Sequence, residues 1–190
     1  MRRPILNSLG ALGLRLLGWR VTGAFPDRSK FVIIVAPHTS NWDFVVGFLA
    51  YLATGIDAAW FGKHSIFRWP FGPILRSFGG IPIERRSSHN VVEQSIAEFN
   101  RRQQFVLALA PEGTRRRVAS WRSGFYYIAL GAAVPIVTVS LDFAHRELLV
   151  GPAFTLTGDY AADLTRLATR FSDIRGRNPE LYEPVPQPNA

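Results

Sequence analysis

The sequence predicts an α/β fold: a single layered domain with a central, largely parallel sheet flanked by helices, preceded by an N-terminal amphipathic helix. Three observations carry this. Residues 31–36 (FVIIVA) are a continuous, mostly β-branched apolar run ending at Pro37, the pattern of a strand buried on both faces. Short strand-like and longer helix-like segments then alternate as far as residue 174. The chain has 190 residues and is 47% hydrophobic, enough for one well-buried core and too short for two ordinary domains.

At residues 4–19, Ile5, Leu9, Leu12 and Leu16 recur at helical spacing, Leu6 and Leu17 widen the stripe, and Arg2, Arg3, Arg15 and Arg20 supply cationic ends and flank. Residues 1–22 therefore read as an amphipathic helix that either lies in a membrane interface or packs on the domain. Arg15 and Arg20 interrupt the apolar region, against a signal peptide, and no apolar run reaches the roughly 18 residues of a membrane span.

The domain proper is expected over 23–177. After the turn-prone residues 25–30 comes the 31–36 strand, then an apolar helix at 44–53 with Ser40 as N-cap and a break at Thr54-Gly55. A strand at 58–61, a Pro- and Gly-punctuated segment at 66–80, a strand at 81–83, a helix at 89–101 and a strand at 105–110 follow. A buried helix at 124–132, a strand at 134–141, an edge strand at 147–150 and a helix at 159–174 complete the pattern. Residues 178–190 carry four prolines and read as an irregular tail.

Cysteine is absent, which excludes disulfides, a thiolate nucleophile and thiolate metal sites. Net charge is +8, and 20 of the 22 basic residues are Arg, so an anionic partner is expected: nucleic acid, an anionic membrane surface or a phosphorylated substrate. No zinc-finger, RNP-type or basic recognition-helix pattern supports nucleic acid. His38, His64, His89 and His145 show no paired metal-ligand spacing, so no metal is expected.

Three loops at strand ends carry unusual chemistry. In Pro37-His38-Thr39-Ser40-Asn41-Trp42-Asp43 a helix starting at Ser40 puts Asp43 in its first turn, from which the carboxylate can fold back on His38. Such a pair fixes the imidazole tautomer and makes a general base; the simpler reading is a Ser40-x-x-Asp43 capping box beside an ordinary loop His. In residues 79–86, Arg85 follows a short strand and suits a bidentate phosphate contact or a surface pair with Glu84. In residues 110–117, Glu112, Gly113 and Thr114 lead into three arginines, an oxyanion or phosphate cradle.

In order, these residues resemble the lysophospholipid (1-acylglycerol-3-phosphate) acyltransferase superfamily. His38 and Asp43 match its H-x4-D signature, residues 80–85 its second block, Pro111-Glu112-Gly113-Thr114-Arg115 its P-E-G-T-R block, and Val134-Pro135-Ile136 its V-P-I block. The resemblance implies a one-step acyl transfer without cofactor, metal or acyl-enzyme. His38, held by Asp43, would deprotonate an acceptor hydroxyl that attacks the thioester of acyl-CoA or acyl-carrier protein. By the same resemblance Arg85 and Arg115 would bind phosphate, Glu112, Gly113 and Thr114 would shape that site, Lys63 would contact phosphate, and Pro135 would be structural. Trp42, Phe44, Val45 and Phe48, on the greasy helix beside His38, are acyl-chain candidates or core residues. Pro37 stands where many members have Asn and Glu84 where Asp is commoner, which leaves the lyso-lipid acceptor open. The expected partners are an acyl thioester donor, a lyso-lipid and an anionic membrane surface, with the protein peripheral to the membrane on its cytoplasmic face. The rival reading is a non-catalytic anionic-lipid-binding protein, in which the His38–Asp43 pair is structural.

Overall fold

Seven strands form one sheet in the computed structural model, which describes residues 4–83 and 88–182. They are Arg20–Thr22 (β1), Lys30–Ala36 (β2), Ala58–Lys63 (β3), Gly80–Ile83 (β4), Phe105–Leu109 (β5), Ile136–Asp142 (β6) and Glu147–Val150 (β7), in the order β1-β7-β6-β2-β5-β3-β4. All neighbours run parallel except the β6–β7 hairpin.

The helices are Pro4–Leu16 (α1), Trp42–Thr54 (α2), Phe71–Ser77 (α3), Ser88–Arg101 (α4), Gly124–Gly131 (α5) and Tyr160–Ala168 (α6). On one face of the sheet, Val32, Ile34 and Ala36 of β2 pack with Phe99 of α4, Phe125 and Ile128 of α5 and Leu164 and Leu167 of α6. On the other, Phe31 and Ile33 pack with Leu14 of α1 and Val46 and Ala50 of α2. This double cover is why β2 reads as an uninterrupted apolar run: none of its residues from 31 to 34 is more than 3% exposed.

Four sequence expectations are corrected. The strand at 147–150 is not at the edge, because β1 pairs alongside it; three residues, Arg20 to Thr22, leave no periodicity to read. The punctuated segment 66–80 contains a 3-10 turn at His64–Phe67 and the helix α3, since Pro70 at the cap and Pro73 in the first turn are both compatible with a helix start. Ser40 does not cap α2: Asn41 occupies that position, and Ser40 Oγ accepts from Trp42 N at 3.2 Å. The last helix stops at Ala168 and tightens into a 3-10 turn at Thr169–Phe171.

Helix α1 ends in a Schellman motif, with Gly18 N on Arg15 O and Trp19 N on Leu14 O. It buries Gly10 and Leu14 but leaves Ile5, Leu9, Leu12 and Leu16 more than half exposed. No described helix is long and apolar enough to cross a membrane. Residues 178–182, where the tail begins, lie on the domain and bury Tyr182.

Candidate active site

The β2 ladder makes its last pairing at Ala36, with Ser140, and Pro37 has no N–H to extend it. The backbone of residues 38–40 therefore needs partners from elsewhere, and side chains supply them. His38 N donates to both carboxylate oxygens of Glu112, at 3.0 Å each. Thr39 N and Ser40 N donate to Asp43 Oδ2 at 2.6 and 2.8 Å. Asn178 Nδ2 donates to Thr39 O at 2.9 Å, and Asn178 N to Thr39 Oγ1 at 3.2 Å.

Asp43 thus sits in the first turn of α2, where the helix dipole favours an anion, and its folded-back carboxylate caps the turn. The same oxygen stands 3.1 Å from His38 Nδ1. The carboxylate that accepts from the Ser40 N–H, the half of the capping box that forms, is thus the one that faces the imidazole, although Ser40 itself does not cap α2. The Asp43 side chain is 1% exposed and that of His38 28%, so the imidazole is anchored at its Nδ1 end in the interior. Asp43 Oδ1 accepts no hydrogen bond among the described residues. With Nδ1 committed to the carboxylate, Nε2 is the ring nitrogen left to act on a ligand.

Glu112 arrives from the loop after β5, the parallel neighbour of β2. It is 3% exposed, and burial pushes its carboxyl up to about 7; the His38 N–H bond opposes the rise and the charge of Asp43 adds to it. Both of its oxygens are thus engaged by the backbone N–H of His38. Gly113 holds a φ of 65°, a conformation that side chains disfavour. A Cβ there would meet Arg122 Nε at 2.8 Å, so the guanidinium of Arg122 lies over the turn, an arrangement sequence reading missed. Thr114 is half-buried, its Oγ1 accepting from Arg116 N at 3.3 Å, and Arg115, Arg116 and Arg117 are exposed.

Of the acyl-chain candidates, Phe44 stacks on Phe48 and meets Trp60 edge-on, and Phe48 meets Phe78 edge-on. This aromatic row runs along α2 from the His38 end and joins it to β3 and the end of α3. Trp42 lies instead under the guanidinium of Arg177, 5.2 Å from the ring centre. Val45 is 40% exposed. Lys63 closes β3, paired with Ile83 of β4, and since β2, β5, β3 and β4 are parallel it belongs to the same end of the sheet as His38. Arg85 lies outside the described residues. Among the described residues no group of three or more His, Asp or Glu side chains is placed to hold a metal ion.

Residues 20–142 match the family described as Acyltransferase. The chain is similar to a 1-acyl-sn-glycerol-3-phosphate acyltransferase of Haemophilus influenzae, 27% identical over 143 residues that cover 70% of this chain and 58% of that protein. It therefore spans somewhat under two thirds of that relative's length. Its fold is similar to the crystal structure of the 1-acyl-sn-glycerophosphate (LPA) acyltransferase PlsC from Thermotoga maritima, with a TM-score of 0.59 at 15% identity, covering 83% of this chain and 72% of the other.

Proposed function

We propose, from the premise that this chain belongs to the acyltransferase family, that it moves an acyl group from a thioester donor to the hydroxyl of a lysophosphatidate-type lyso-phospholipid. The observation that carries the reading is the 3.1 Å pair of His38 Nδ1 and Asp43 Oδ2 on a loop whose backbone is clamped from both sides. With Asp43 holding the Nδ1–H tautomer, Nε2 takes the proton of the acceptor hydroxyl as its oxygen attacks the thioester carbonyl carbon. The carbon–sulfur bond breaks, the thiolate recovers the proton from His38, and an ester and a free thiol result. The donor is acyl-CoA or acyl-carrier protein, and no cofactor enters the step.

The exposed Arg115, next to Thr114 in the loop after β5, is assigned to a phosphate of acceptor or donor, together with Arg85 and Lys63. The aromatic row beginning at Phe44 and Phe48 is assigned to the acyl chain, and Trp42 to the mouth of the site. The protein works at an anionic membrane surface, on its cytoplasmic face, with the apolar side of α1 turned to lipid; the exposure of Ile5, Leu9, Leu12 and Leu16 supports this.

The test is thiol release from acyl-CoA and from acyl-carrier protein across a panel of lyso-lipid acceptors. Acceptor-dependent release is expected, falling about 10²- to 10⁴-fold in His38→Ala. Arg115→Ala is expected to raise the KM of the phosphate-bearing partner more than it lowers kcat. Folded protein that binds anionic vesicles yet releases no thiol with any acceptor would replace this reading with non-catalytic lipid binding.

A further inference from the structure

The family match ends at residue 142, but one of the three side chains that clamp the His38 loop comes from residue 178. Residues 172–182 leave the 3-10 turn after α6 and run back over the loop. Arg175 O accepts from Phe143 N at 2.9 Å, Arg177 covers Trp42 and Phe143, and Tyr182 is buried. Gly176 is buried against the loop, where a Cβ would stand 2.9 Å from Thr39 Oγ1 and 3.2 Å from the Cβ of Pro37. Burial, and after it the charge of Glu112, raises the Tyr182 phenol above its ordinary range.

Asn178 is the informative residue. It precedes a 3-10 turn, Pro179–Leu181, with proline at its start, a position at which an Asn side chain ordinarily caps its own turn. Here the side chain makes no cap bond and reaches Thr39 O instead, while its backbone N reaches Thr39 Oγ1. Thr39 in turn donates its N–H to the carboxylate that faces His38.

We propose that residues 172–182 form a strap that sets the His38–Asp43 geometry through the two Asn178–Thr39 hydrogen bonds, making Asn178 a positioning residue for catalysis. The inference rests on the acyl-transfer reading for its kinetic consequence but not for its structural one, and the test separates the two. Hydrogen exchange is followed at the Thr39 and Ser40 amides in wild type, Asn178→Ala and the isosteric Asn178→Asp, with the β2 amides as internal reference. Exchange at Thr39 and Ser40 is expected to rise about 10-fold or more in both variants while β2 is unchanged. In the thiol-release assay kcat is expected to fall about 10- to 100-fold with donor KM nearly constant, as a misplaced base predicts. Thr39→Val, which removes the other bond, is expected to be non-additive with Asn178→Ala, because both disable one contact. Unchanged exchange at Thr39 and Ser40, or a kcat in Asn178→Ala within about twofold of wild type, overturns the strap. Absence of thiol release by wild type sinks the acyl-transfer reading alone, and the exchange result then decides the strap by itself.

Discussion

Glu112 is the residue on which charge, burial and position conflict most sharply. A buried carboxylate within reach of a second one would normally be removed, yet here it satisfies the one backbone N–H of His38. Burial pushes its carboxyl up to about 7 in the folded chain, against an ordinary value of 4.5. Between those pH values the folded chain binds more proton than the unfolded one, so the stability this group contributes is fully present below about 4.5 and is lost as pH rises through 7. Glu112→Gln fixes a neutral form that can still accept from His38 N. Urea unfolding at pH 5 and pH 8 is therefore expected to show a steeper loss for wild type than for Glu112→Gln, by up to about 2.5 kcal/mol at 1.36 kcal/mol per unit. The same pH dependence in both proteins would mean that Glu112 is charged throughout. At this scale the sequence was legible where partners are local. The H-x4-D spacing announces His38 and Asp43 because a helix start brings residues five apart together. Glu112 under His38 needed the β2–β5 pairing, and Asn178 lies 139 positions from Thr39, so neither left a local pattern.

Among the elements, the packing of α1 on α2 turns on a residue without a side chain. A Cβ at Gly10 would lie 2.5 Å from Ala53 N and 2.7 Å from both Leu49 O and Leu52 Cβ. Two of these are backbone atoms of α2 and cannot move aside, so Gly10→Val must push the helices apart. A loss of about 1–3 kcal/mol is expected in denaturant unfolding. Gly47 is the matched opposite. It lies within α2 with nothing within 4 Å of a Cβ, so Gly47→Ala is expected to add about 0.5–1 kcal/mol by restricting the unfolded chain and favouring the helix. A Gly10→Val protein as stable as the wild type would mean that the close approach of α1 and α2 is wrong. Sequence reading found β2 and β5, whose burial dominates their composition, and α2, whose residues are nearly all apolar although only Asp43, Val46 and Ala50 are buried. It missed α3, whose prolines sit at permitted positions, and β1, which is three residues long. Misplacing β7 at the edge followed directly from missing β1.

For the molecule as a whole, the net charge of +8 and the exposed stripe on α1 make a joint demand that neither makes separately. Ile5 and Leu16 are 76% and 78% exposed, and Leu9 and Leu12 more than half, on a helix whose other side is already docked on α2. Each such side chain gains about 1.5–3 kcal/mol on leaving water, and each basic residue near an anionic surface about 1 kcal/mol. The first contribution is nearly indifferent to salt and the second is screened within about 8–10 Å at ordinary ionic strength. Sedimentation with anionic vesicles should therefore weaken as salt rises but level off above zero. In Leu9→Asp/Leu16→Asp the plateau at high salt is expected to vanish while thermal stability is unchanged, since neither residue is buried. Vesicles of neutral lipid should show the complementary pattern: weak binding by the wild type that does not respond to salt, and none by the double variant. Undiminished binding by Leu9→Asp/Leu16→Asp would detach the apolar face of α1 from the membrane and leave the arginines as the contact. The proposed lyso-lipid acceptor would then have to reach His38 from an electrostatically held surface rather than from one into which the helix is set.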